Sequence, residues 1–513
     1  MYYDCIVVGS GHAGSCAALS AVEHGCKKVL LVDKCPQEWV GGNGYFTAGA
    51  HRIVHGGLKD LLPLVRNVSP DMAEKIDMEP YTAEQFRDDI LRLGNGRPDP
   101  GMVDAVVGNS QEAVGWLSSK VDVPFILSFH RQAYEVDGRQ KFWGGLVLSV
   151  EDGGKGLIAA HQRALGNTGV EVWFNSSLVR LLASNNSIEG AIIQKDGELI
   201  ELSTRAVVLA AGGFEANPEM REKYLGSGWQ KAKVRGTPYN TGDCLLIARE
   251  IGAKLTGDWE GCHSTAWDAQ APDSAGARDL TNQYTKSGYP LGVMVNVKGQ
   301  RFVDEGEDYR NYTYAKFGRA ILLQPEGIAF QVWDSKVLSS LRKEEYGDGV
   351  TEKIFSDTLE DLAERLAERG LQDKDRFIQT IQDFNDAVRS HEEEYPGQKA
   401  DPSVKDGLST ESSKLSVQPP KSNWALSLDR SPFMAVKVTC GITFTFGGLA
   451  IDPQTAEVVS EATGRAIEGL FCTGEMVGGL FYSNYPGGSG LTSGAVFGRK
   501  AGYGAAKRGG HVQ

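Results

Sequence analysis

The sequence has no long apolar run and no paired cysteine motif. No stretch approaches the ~18 consecutive apolar residues that a membrane-spanning helix requires, so we expect no integral membrane segment. The 8 cysteines are scattered and none forms a C-x-x-C motif, which excludes the usual zinc, iron–sulfur and c-type haem motifs. We therefore predict no bound metal and a reduced, cytoplasmic protein.

Basic residues are also few relative to acidic ones. The chain has 53 lysines and arginines against 66 acidic residues, which gives a formal net charge of −13. A chain with this charge is a poor partner for nucleic acid or for an anionic membrane surface. A small anionic substrate is not excluded, because a few arginines can dominate a closed pocket. The first residues, MYYDCIVVGSG, carry no basic segment, so no secretory signal is predicted.

What the sequence does contain is a dinucleotide-binding pattern at its N-terminus. Residues 4–9, DCIVVG, form a short apolar run typical of a buried strand. Gly9, Gly11 and Gly14 follow in the spacing G-x-G-x-x-G, and Asp33 ends a second apolar run 19 residues after Gly14. The glycines permit a tight turn against a pyrophosphate, the helix N-terminus favours its negative charge, and the acid accepts a ribose hydroxyl. The pattern predicts FAD or NAD rather than a 2′-phosphorylated nucleotide.

Three further glycine clusters favour FAD over NAD. They are GGNGYFTAGA (41–50), AAGGFEANP (210–218) and GEMVGG (474–479). Each alone is equally well explained as a tight turn, but four clusters together indicate one long cofactor that passes the ends of several strands. The last cluster continues into GGLFYSNYPGGSGL (478–491), where Tyr482 and Tyr485 lie inside a glycine-rich segment.

With these motifs the chain resembles the flavoprotein family of fumarate reductases and succinate dehydrogenases, and within it the tricarballylate dehydrogenase branch. The resemblance spans the chain through VVGSGHAG, GGNGYFTAG, VLAAGGFEANP, RGTPYNTGD, GQRFVDEGEDYRNYTYAKFGR, GITFTFGG and GEMVGGLFYSNYPGGSGLTSGAVFGR. It implies an α/β fold in which a Rossmann-type FAD-binding domain, residues 1–256 and 441–513, is interrupted by an α+β capping domain, residues 257–440. It also implies non-covalent FAD, because GGNGYF lacks the histidine that carries the flavin in membrane-bound relatives.

The predicted cofactor contacts belong to the glycine clusters and to the segments beside them. They are Gly9, Gly11, His12, Ala13, Gly14, Asp33, Lys34, Gly41, Gly42, Asn43, Thr47, Ala48, Gly49, Leu178, Ala211, Gly212, Gly213, Asp243, Gly474, Glu475, Ser489, Gly490 and Leu491. In the capping segment, residues 357–370 and 375–388 have the apolar spacing of amphipathic helices, the first opened by a capping box from Asp357 to Glu360. Residues 392–423 are polar and interrupted by prolines, which predicts a long surface loop.

Arg310 is the main catalytic candidate. Flavin desaturation of a succinate-like unit needs a polarised carboxylate, a base for the α-proton and a hydride acceptor. By the resemblance, an arginine after the motif G-x-R-F-V-x-E, here GQRFVDE, transfers the proton. Arg310 lies one position beyond the usual spacing, where Tyr309 takes the nominal place, and a one-residue insertion restores the match. The alternative is a surface ion pair with Glu305, Glu307 or Asp308, and these acids could also relay a proton behind it.

Three more positions follow from the resemblance. His263 corresponds to a substrate-binding histidine in a His-Pro-Thr motif, of which GCHST keeps Thr265. Phe444 stands where the reductases have a second histidine, and Tyr485 stands where they have a carboxylate-binding arginine. Both replacements disfavour plain fumarate reduction and are shared with the tricarballylate branch. Tyr485 either donates to a carboxylate or carbonyl, transfers a proton, or packs on the flavin.

Arg52 and Arg235 are further candidates for holding a carboxylate, since a guanidinium matches a carboxylate bidentately. Each is equally compatible with a structural salt bridge. The sequence thus predicts an FAD-dependent dehydrogenase acting on a tricarballylate-like polycarboxylate, with an electron acceptor that it does not identify. The alternatives are desaturation of a ketone, since the Tyr-Pro-Gly segment also resembles ketosteroid dehydrogenases, fumarate-reductase-type reduction, and an electron-transfer subunit without a substrate pocket.

Overall fold

The computed structural model describes residues 1–273 and 276–512. Its helices are α1 (His12–Glu23), α2 (Leu58–Leu61), α3 (Pro70–Ala73), α4 (Ala83–Leu93), α5 (Pro100–Lys120), α6 (Phe129–Gln132), α7 (Gly153–Gly166), α8 (Pro218–Met220), α9 (Asp243–Glu250), α10 (Arg310–Leu322), α11 (Lys343–Tyr346), α12 (Leu359–Ala367), α13 (Lys374–Glu394) and α14 (Ser489–Arg508). Its strands are β1 (Tyr2–Tyr3), β2 (Cys5–Val8), β3 (Val29–Val32), β4 (Ile76–Asp77), β5 (Phe125–Leu127), β6 (Ala133–Val136), β7 (Arg139–Phe142), β8 (Leu148–Val150), β9 (Glu171–Trp173), β10 (Ser176–Ser184), β11 (Ser187–Lys195), β12 (Glu198–Thr204), β13 (Val207–Leu209), β14 (Lys233–Val234), β15 (Leu255–Asp268), β16 (Val293–Asn296), β17 (Ala329–Trp333), β18 (Ile354–Ser356), β19 (Phe433–Leu449), β20 (Glu457–Val459) and β21 (Ala466–Cys472). This mixture of helices and strands confirms the predicted α/β class.

The N-terminal strand, helix and second strand form the predicted βαβ unit. β2 pairs in parallel with β3 and β13, and β13 pairs in parallel with β21. They belong to a ten-stranded sheet in the order β1-β12-β11-β21-β13-β2-β3-β9, with β10 beside β11 and β20 beside β21. Glycines let α14 pack closely on α1, because a Cβ added at Gly498 would lie 2.7 Å from the carbonyl oxygen of Ala13.

A second sheet of six strands is built around β19, which is 17 residues long. β19 pairs with β14, β15, β17 and β18, and β16 lies beyond β17. Its last residue, Leu449, bridges Val477 just after β21 of the first sheet. β19 therefore crosses the predicted domain boundary between residues 440 and 441 and connects the two sheets; the division into domains stays a prediction.

Both helices predicted in the capping segment are present, as α12 and α13. The prediction that a capping box begins at Asp357 was wrong by one residue. Thr358 caps α12 by accepting from the backbone N–H of Asp361 at 3.1 Å, whereas Asp357 accepts from Ser431 Oγ at 3.0 Å. Residues 395–432 contain no helix or strand, so the loop predicted for residues 392–423 begins three residues late, because α13 continues to Glu394. Leu408, Thr410 and Lys421 are buried, so the loop is not wholly at the surface. Within the two described ranges, no helix combines the length and apolar composition needed to cross a membrane.

Candidate active site

A cavity with about 2160 Å³ of empty volume, part of it open to solvent, is lined by residues of both sheets. On the first sheet its walls include Val8, Val32 and Ala210, at the ends of β2, β3 and β13. On the second sheet they include His263 and Phe444. Ligands of open parallel sheets bind beyond the carboxyl ends of the strands, where this cavity begins. We call the part beside Val8, Val32 and Ala210 the cofactor arm, and the part beside His263 and Phe444 the substrate end.

Most of the predicted cofactor contacts line this cavity. They are Gly9, Gly11, His12, Ala13, Asp33, Lys34, Gly42, Asn43, Thr47, Ala48, Leu178, Ala211, Gly212, Asp243, Gly474, Glu475, Gly490 and Leu491. Asp33 is fixed after β3 because its Oδ2 accepts from the backbone N–H and the hydroxyl of Ser10, at 2.8 and 2.7 Å. A Cβ added at Gly9 would lie 2.2 Å from the carbonyl oxygen of Ala210, so the turn requires glycine.

Five predicted cofactor residues lie behind the cavity wall instead, in contact with other parts of the protein. Four of them are glycines at which an added Cβ would clash. At Gly14 it would lie 1.9 Å from the carbonyl oxygen of Gly9, and at Gly41 it would lie 2.7 Å from Ile158. At Gly49 it would lie 2.8 Å from Val150, and at Gly213 it would lie 2.1 Å from Glu475. Ser489 donates its hydroxyl to the carbonyl oxygen of Pro486 at 2.7 Å. These five shape the wall by close packing, and the structure does not bring them to the cavity.

Glu475 lines the cofactor arm, and the fully buried Glu215 lies behind it. Asn43 and Asn240 each donate to Oε1 of Glu215 at 2.6 Å. Burial raises the pKa of both carboxyls, and the neighbouring Glu215 raises the pKa of Glu475 further. The two carboxyls also hydrogen-bond to one another, so the pair is satisfied within the protein. An acid after β3 and a glycine turn before α1 fit the hydroxyl and pyrophosphate groups of FAD.

At the substrate end, His263 meets two tyrosines. His263 lies on β15 opposite Phe444 on β19. Its ring centre is 4.9 Å from that of Tyr314 and 5.2 Å from that of Tyr485, and the two tyrosine hydroxyl oxygens are 2.7 Å apart. Neither ring nitrogen of His263 has a hydrogen-bond partner within residues 1–273 and 276–512. Burial, and then the charge of Arg235, lowers the pKa of His263 well below its usual value, so a neutral ring faces the cavity with both nitrogens free.

The glycine-rich segment before α14 places its two tyrosines differently. Tyr485 is buried in the cavity wall, and burial raises the pKa of its hydroxyl well above the usual range, with Tyr314 adding to the effect. The ring of Tyr482 instead packs under Arg97, whose guanidinium carbon is 4.8 Å from the ring centre. Sequence analysis did not single out Tyr314. It lies four residues after Arg310 on α10, so the helical period is the signal that finds it.

Arg310 begins α10 and lines the cavity. The three acids near it in sequence form ion pairs elsewhere: Glu305 with Arg301, Glu307 with Lys316, and Asp308 with Arg92 and Lys405. The guanidinium of Arg310 donates to the carbonyl oxygen of Arg131, and burial lowers its pKa. Tyr309, at the nominal place of the arginine, stacks on Trp143 with ring centres 5.2 Å apart. The surface ion pair that was the alternative for Arg310 is therefore not formed.

Arg235 also lines the cavity and is 6% exposed. Its Nε donates to Asn282 Oδ1 at 3.1 Å, its Nη2 donates to the same oxygen, and its Nη1 donates to Thr443 Oγ1 at 2.9 Å. Both partner side chains are neutral, and burial lowers the pKa of the guanidinium. Arg235 thus carries a buried charge that no side-chain carboxylate offsets by hydrogen bonding in the described structure.

Two predicted substrate contacts, Arg52 and Thr265, are absent from the cavity walls in the described structure. Arg52 is fully buried and donates to the carbonyl oxygens of Gly487 and Gly144 at 2.8 and 3.1 Å and to the hydroxyl of Tyr81 at 3.0 Å. It therefore supports the loop that carries Tyr485 rather than gripping a substrate. Thr265 is fully buried on β15, and Gly318 of α10 packs against its backbone nitrogen and the side chain of Ser264.

Two further arginines of the wall, Arg131 and Arg342, were missed by sequence analysis. Arg131 follows Phe129 and His130 in α6, and Arg342 directly precedes α11. Neither lies in a glycine cluster or in a motif of the resemblance. They reach the cavity only through the tertiary fold, and no local pattern identifies them.

The family of the chain follows from comparison with known proteins. A family model described as "FAD binding domain" matches residues 68–491, and one described as "FAD dependent oxidoreductase" matches residues 4–85. The probable fumarate reductase Ifc3 of Shewanella frigidimarina is 30% identical over 506 residues, which cover 98% of this chain and 74% of that protein. The NADH:fumarate oxidoreductase of Klebsiella pneumoniae is 27% identical, and this chain covers 48% of its length. The 3-oxosteroid 1-dehydrogenase of Mycolicibacterium smegmatis is 26% identical, with 96% of this chain and 95% of that protein covered.

Solved structures agree with these matches. A flavocytochrome c3 fumarate reductase in its open conformation has a TM-score of 0.71 at 27% identity, with 99% of this chain and 78% of that chain covered. A 3-ketosteroid Δ1-dehydrogenase from Sterolibacterium denitrificans has a TM-score of 0.73 at 21% identity over 99% of both chains, which shows a shared fold. With a family match over most of its length and a cavity that fits the cofactor, the chain belongs to the FAD-binding flavoprotein family that includes the fumarate reductases and is an FAD-dependent oxidoreductase.

Proposed function

We propose that the protein desaturates a succinate-like CH–CH unit of a small polycarboxylate such as tricarballylate, giving an aconitate-like product. The observation that carries this proposal is the pair of guanidinium groups, Arg310 and Arg235, at the substrate end. Within the described ranges neither hydrogen-bonds to a carboxylate. An unpaired buried charge such as that of Arg235 is costly, and a carboxylate of the substrate would offset it.

The groups that move the proton lie beside these arginines. Removal of an α-proton next to a carboxylate requires positive charge on that carboxylate and a base on one face of the substrate. Arg235 holds one carboxylate, and the neutral ring of His263 donates one further hydrogen bond. The proton passes to Arg310 in its neutral form, which the lowered pKa favours, or is relayed through the hydroxyl pair of Tyr485 and Tyr314, which gives up one proton as it takes another. The first route requires Arg310 and the second requires Tyr485, so substitution of each residue tells the two routes apart.

The surroundings of Tyr485 suit hydride transfer. FAD, when bound, accepts the β-hydrogen and its electron pair from the substrate. The rings of Phe444, Phe481 and Phe446 lie around Tyr485, with ring centres 5.0, 5.2 and 6.3 Å from that of the tyrosine. These apolar rings exclude water from one side of the substrate, which strengthens the electrostatic contacts there. The sequence has no haem or iron–sulfur motif, so the electrons would pass to a separate acceptor.

Desaturation of a cyclic ketone is the second candidate. The same aromatic rings offer apolar contacts to a steroid-like substrate, and a tyrosine hydroxyl pair can donate to a ketone oxygen. The relative named 3-oxosteroid 1-dehydrogenase covers nearly the whole chain. Against this candidate, a neutral ketone leaves the guanidinium groups of Arg310 and Arg235 without an anion.

Anaerobic reduction of the bound flavin separates the two candidates. The purified holoprotein is mixed in turn with tricarballylate, succinate and a 3-ketosteroid, and the visible absorbance of oxidised flavin is followed. Rapid bleaching by tricarballylate is the expected result. Bleaching by the ketosteroid alone would assign the protein to ketone desaturation, and an unchanged spectrum with every acid would reject the polycarboxylate proposal.

A further inference from the structure

The two arginines that sequence analysis missed form a charged cluster with Arg310. Arg131, Arg310 and Arg342 all line the cavity. Nη2 of Arg342 donates to the carbonyl oxygen of Arg131 at 2.7 Å, and Arg310 donates to that same oxygen. The two guanidinium groups that share this carbonyl oxygen repel one another, so they favour an acceptor with negative charge.

One buried carboxylate, Glu345, faces this cluster in the described structure. Its Oε1 is 2.9 Å from Arg342 Nη1 and 3.7 Å from Arg131 Nη1. Its Oε2 accepts from the backbone N–H and the hydroxyl of Ser287, at 2.8 and 2.7 Å. Glu344 also lies 3.5 Å from Arg131, but its side chain is 49% exposed to solvent. Three positive charges therefore meet a single fully buried negative charge.

The hydrogen bonds of Arg342 leave one donor unused. Its side chain is 8% exposed, and Glu345 and Ser287 fix its Nη1. Its Nε is buried without a hydrogen-bond partner in the chain as described. A buried N–H donor without a partner destabilises the folded protein. Because this donor belongs to a charged guanidinium group, an anionic oxygen is its favoured partner.

We propose that Arg342 and Arg131 form a second carboxylate subsite, which holds the additional carboxylate of a tricarboxylate while Arg235 and His263 hold its succinate-like part. The inference rests on the proposed function and gives it a specificity: a tricarboxylate is preferred over a dicarboxylate. Glu345 is a positioning residue. It orients Arg342 through one oxygen and is itself anchored to Ser287 through the other.

Binding to the reduced holoprotein tests the subsite without turnover, because a flavin that is already reduced cannot oxidise the ligand. Tricarballylate and succinate are titrated into the dithionite-reduced protein under anaerobic conditions, with heat as the signal. The wild type is expected to bind tricarballylate more tightly. Arg342→Met is expected to raise the Kd for tricarballylate by about 10- to 100-fold and the Kd for succinate by less than about 3-fold. Lys343→Met, at the exposed neighbouring position, serves as the matched control.

A second variant protects the test against misfolding. Arg342→Met leaves Glu345 as a buried charge, whereas Arg342→Met/Glu345→Gln removes both charges together and keeps the amide near Ser287. It is expected to show the same selective loss. Equal weakening of both ligands, or a wild type that binds the two acids equally, overturns the subsite. Selective binding without flavin bleaching by any acid would keep the subsite and reject the proposed function.

Discussion

At the scale of single residues, some of the buried polar atoms without a hydrogen-bond partner belong to the wall of the substrate end. His263 has two free ring nitrogens and Arg342 has a free Nε among the described residues. Proteins rarely leave buried polar atoms unpaired, so such atoms gathered around one cavity indicate the position of a ligand.

Tyr485→Phe tests the hydroxyl pair. Loss of the hydroxyl removes the hydrogen bond to Tyr314 and any proton transfer through it, so we expect flavin reduction by tricarballylate to slow by about 10²- to 10⁴-fold. Stopped-flow absorbance measures the rate. Tyr482→Phe, in the same glycine-rich segment but packed under Arg97, is the control and is expected to keep the wild-type rate. An unchanged rate in Tyr485→Phe would assign the proton to Arg310.

Arg310→Met tests the other route. Removing this side chain takes away the candidate proton acceptor and a hydrogen-bond donor to the substrate, so the same rate is expected to fall by about 10³-fold or more. Lys316→Met, on the same helix but paired at the surface with Glu307, is the control. Retention of FAD in both variants, measured by absorbance, is needed to attribute the loss to chemistry. A rate close to that of wild type would remove Arg310 from the mechanism.

At the scale of elements, the glycine fingerprint was predicted from the sequence because its geometry is local. The strand, turn and helix from residues 5–23 depend on short-range sterics, and β2, α1 and β3 form as expected. The position of His263 depends instead on register shifts in the pairing of β15 with β19, one between Asp258 and Cys262 and one at His263 and Ser264. Such irregularities change the direction of a side chain, and no local sequence pattern predicts them.

Gly14→Val tests the packing of α1 on the sheet. A Cβ at position 14 would lie 1.9 Å from the carbonyl oxygen of Gly9, so the helix must move and the turn that fits FAD must open. We expect loss of bound FAD and a lower melting temperature. Gly115→Ala is the matched control: nothing lies within 4 Å of a Cβ at that position of α5, and the change is expected to stabilise the protein by up to about 1 kcal/mol. Full FAD content in Gly14→Val would contradict the packing argument.

At the scale of the whole molecule, charge is distributed unevenly. The chain carries a net charge of −13, yet four arginines line the cavity: Arg131, Arg235, Arg310 and Arg342. Composition permitted an anionic substrate but could not locate it. Arg235 and Arg310 were found because they lie near family motifs, whereas Arg131 in α6 and Arg342 before α11 are brought together only by the folded chain.

The buried histidines make stability depend on pH. Burial lowers the pKa of His12, His51 and His55 to about 4, 3 and 4. Because the unfolded chain binds these protons near pH 6.5 and the native state does not, stability is present above about pH 6.5 and is lost as the pH falls towards 4. Each of these histidines lowers the free energy of unfolding by about 2 kcal/mol as the pH falls from 7 to 5. We expect the melting temperature to fall over this range and the fall to be smaller in His55→Gln; a flat profile would contradict the burial of neutral histidines.

The central claim is that the cavity oxidises a polycarboxylate at one CH–CH unit. The most direct measurement is a single anaerobic turnover with tricarballylate, in which the reduced flavin is counted by absorbance and the acid product by chromatography. The account predicts one unsaturated tricarboxylate for each flavin reduced, and loss of both signals together in Arg310→Met. Flavin reduction without an unsaturated acid, or an unsaturated acid formed at the wild-type rate in Arg310→Met, would contradict it.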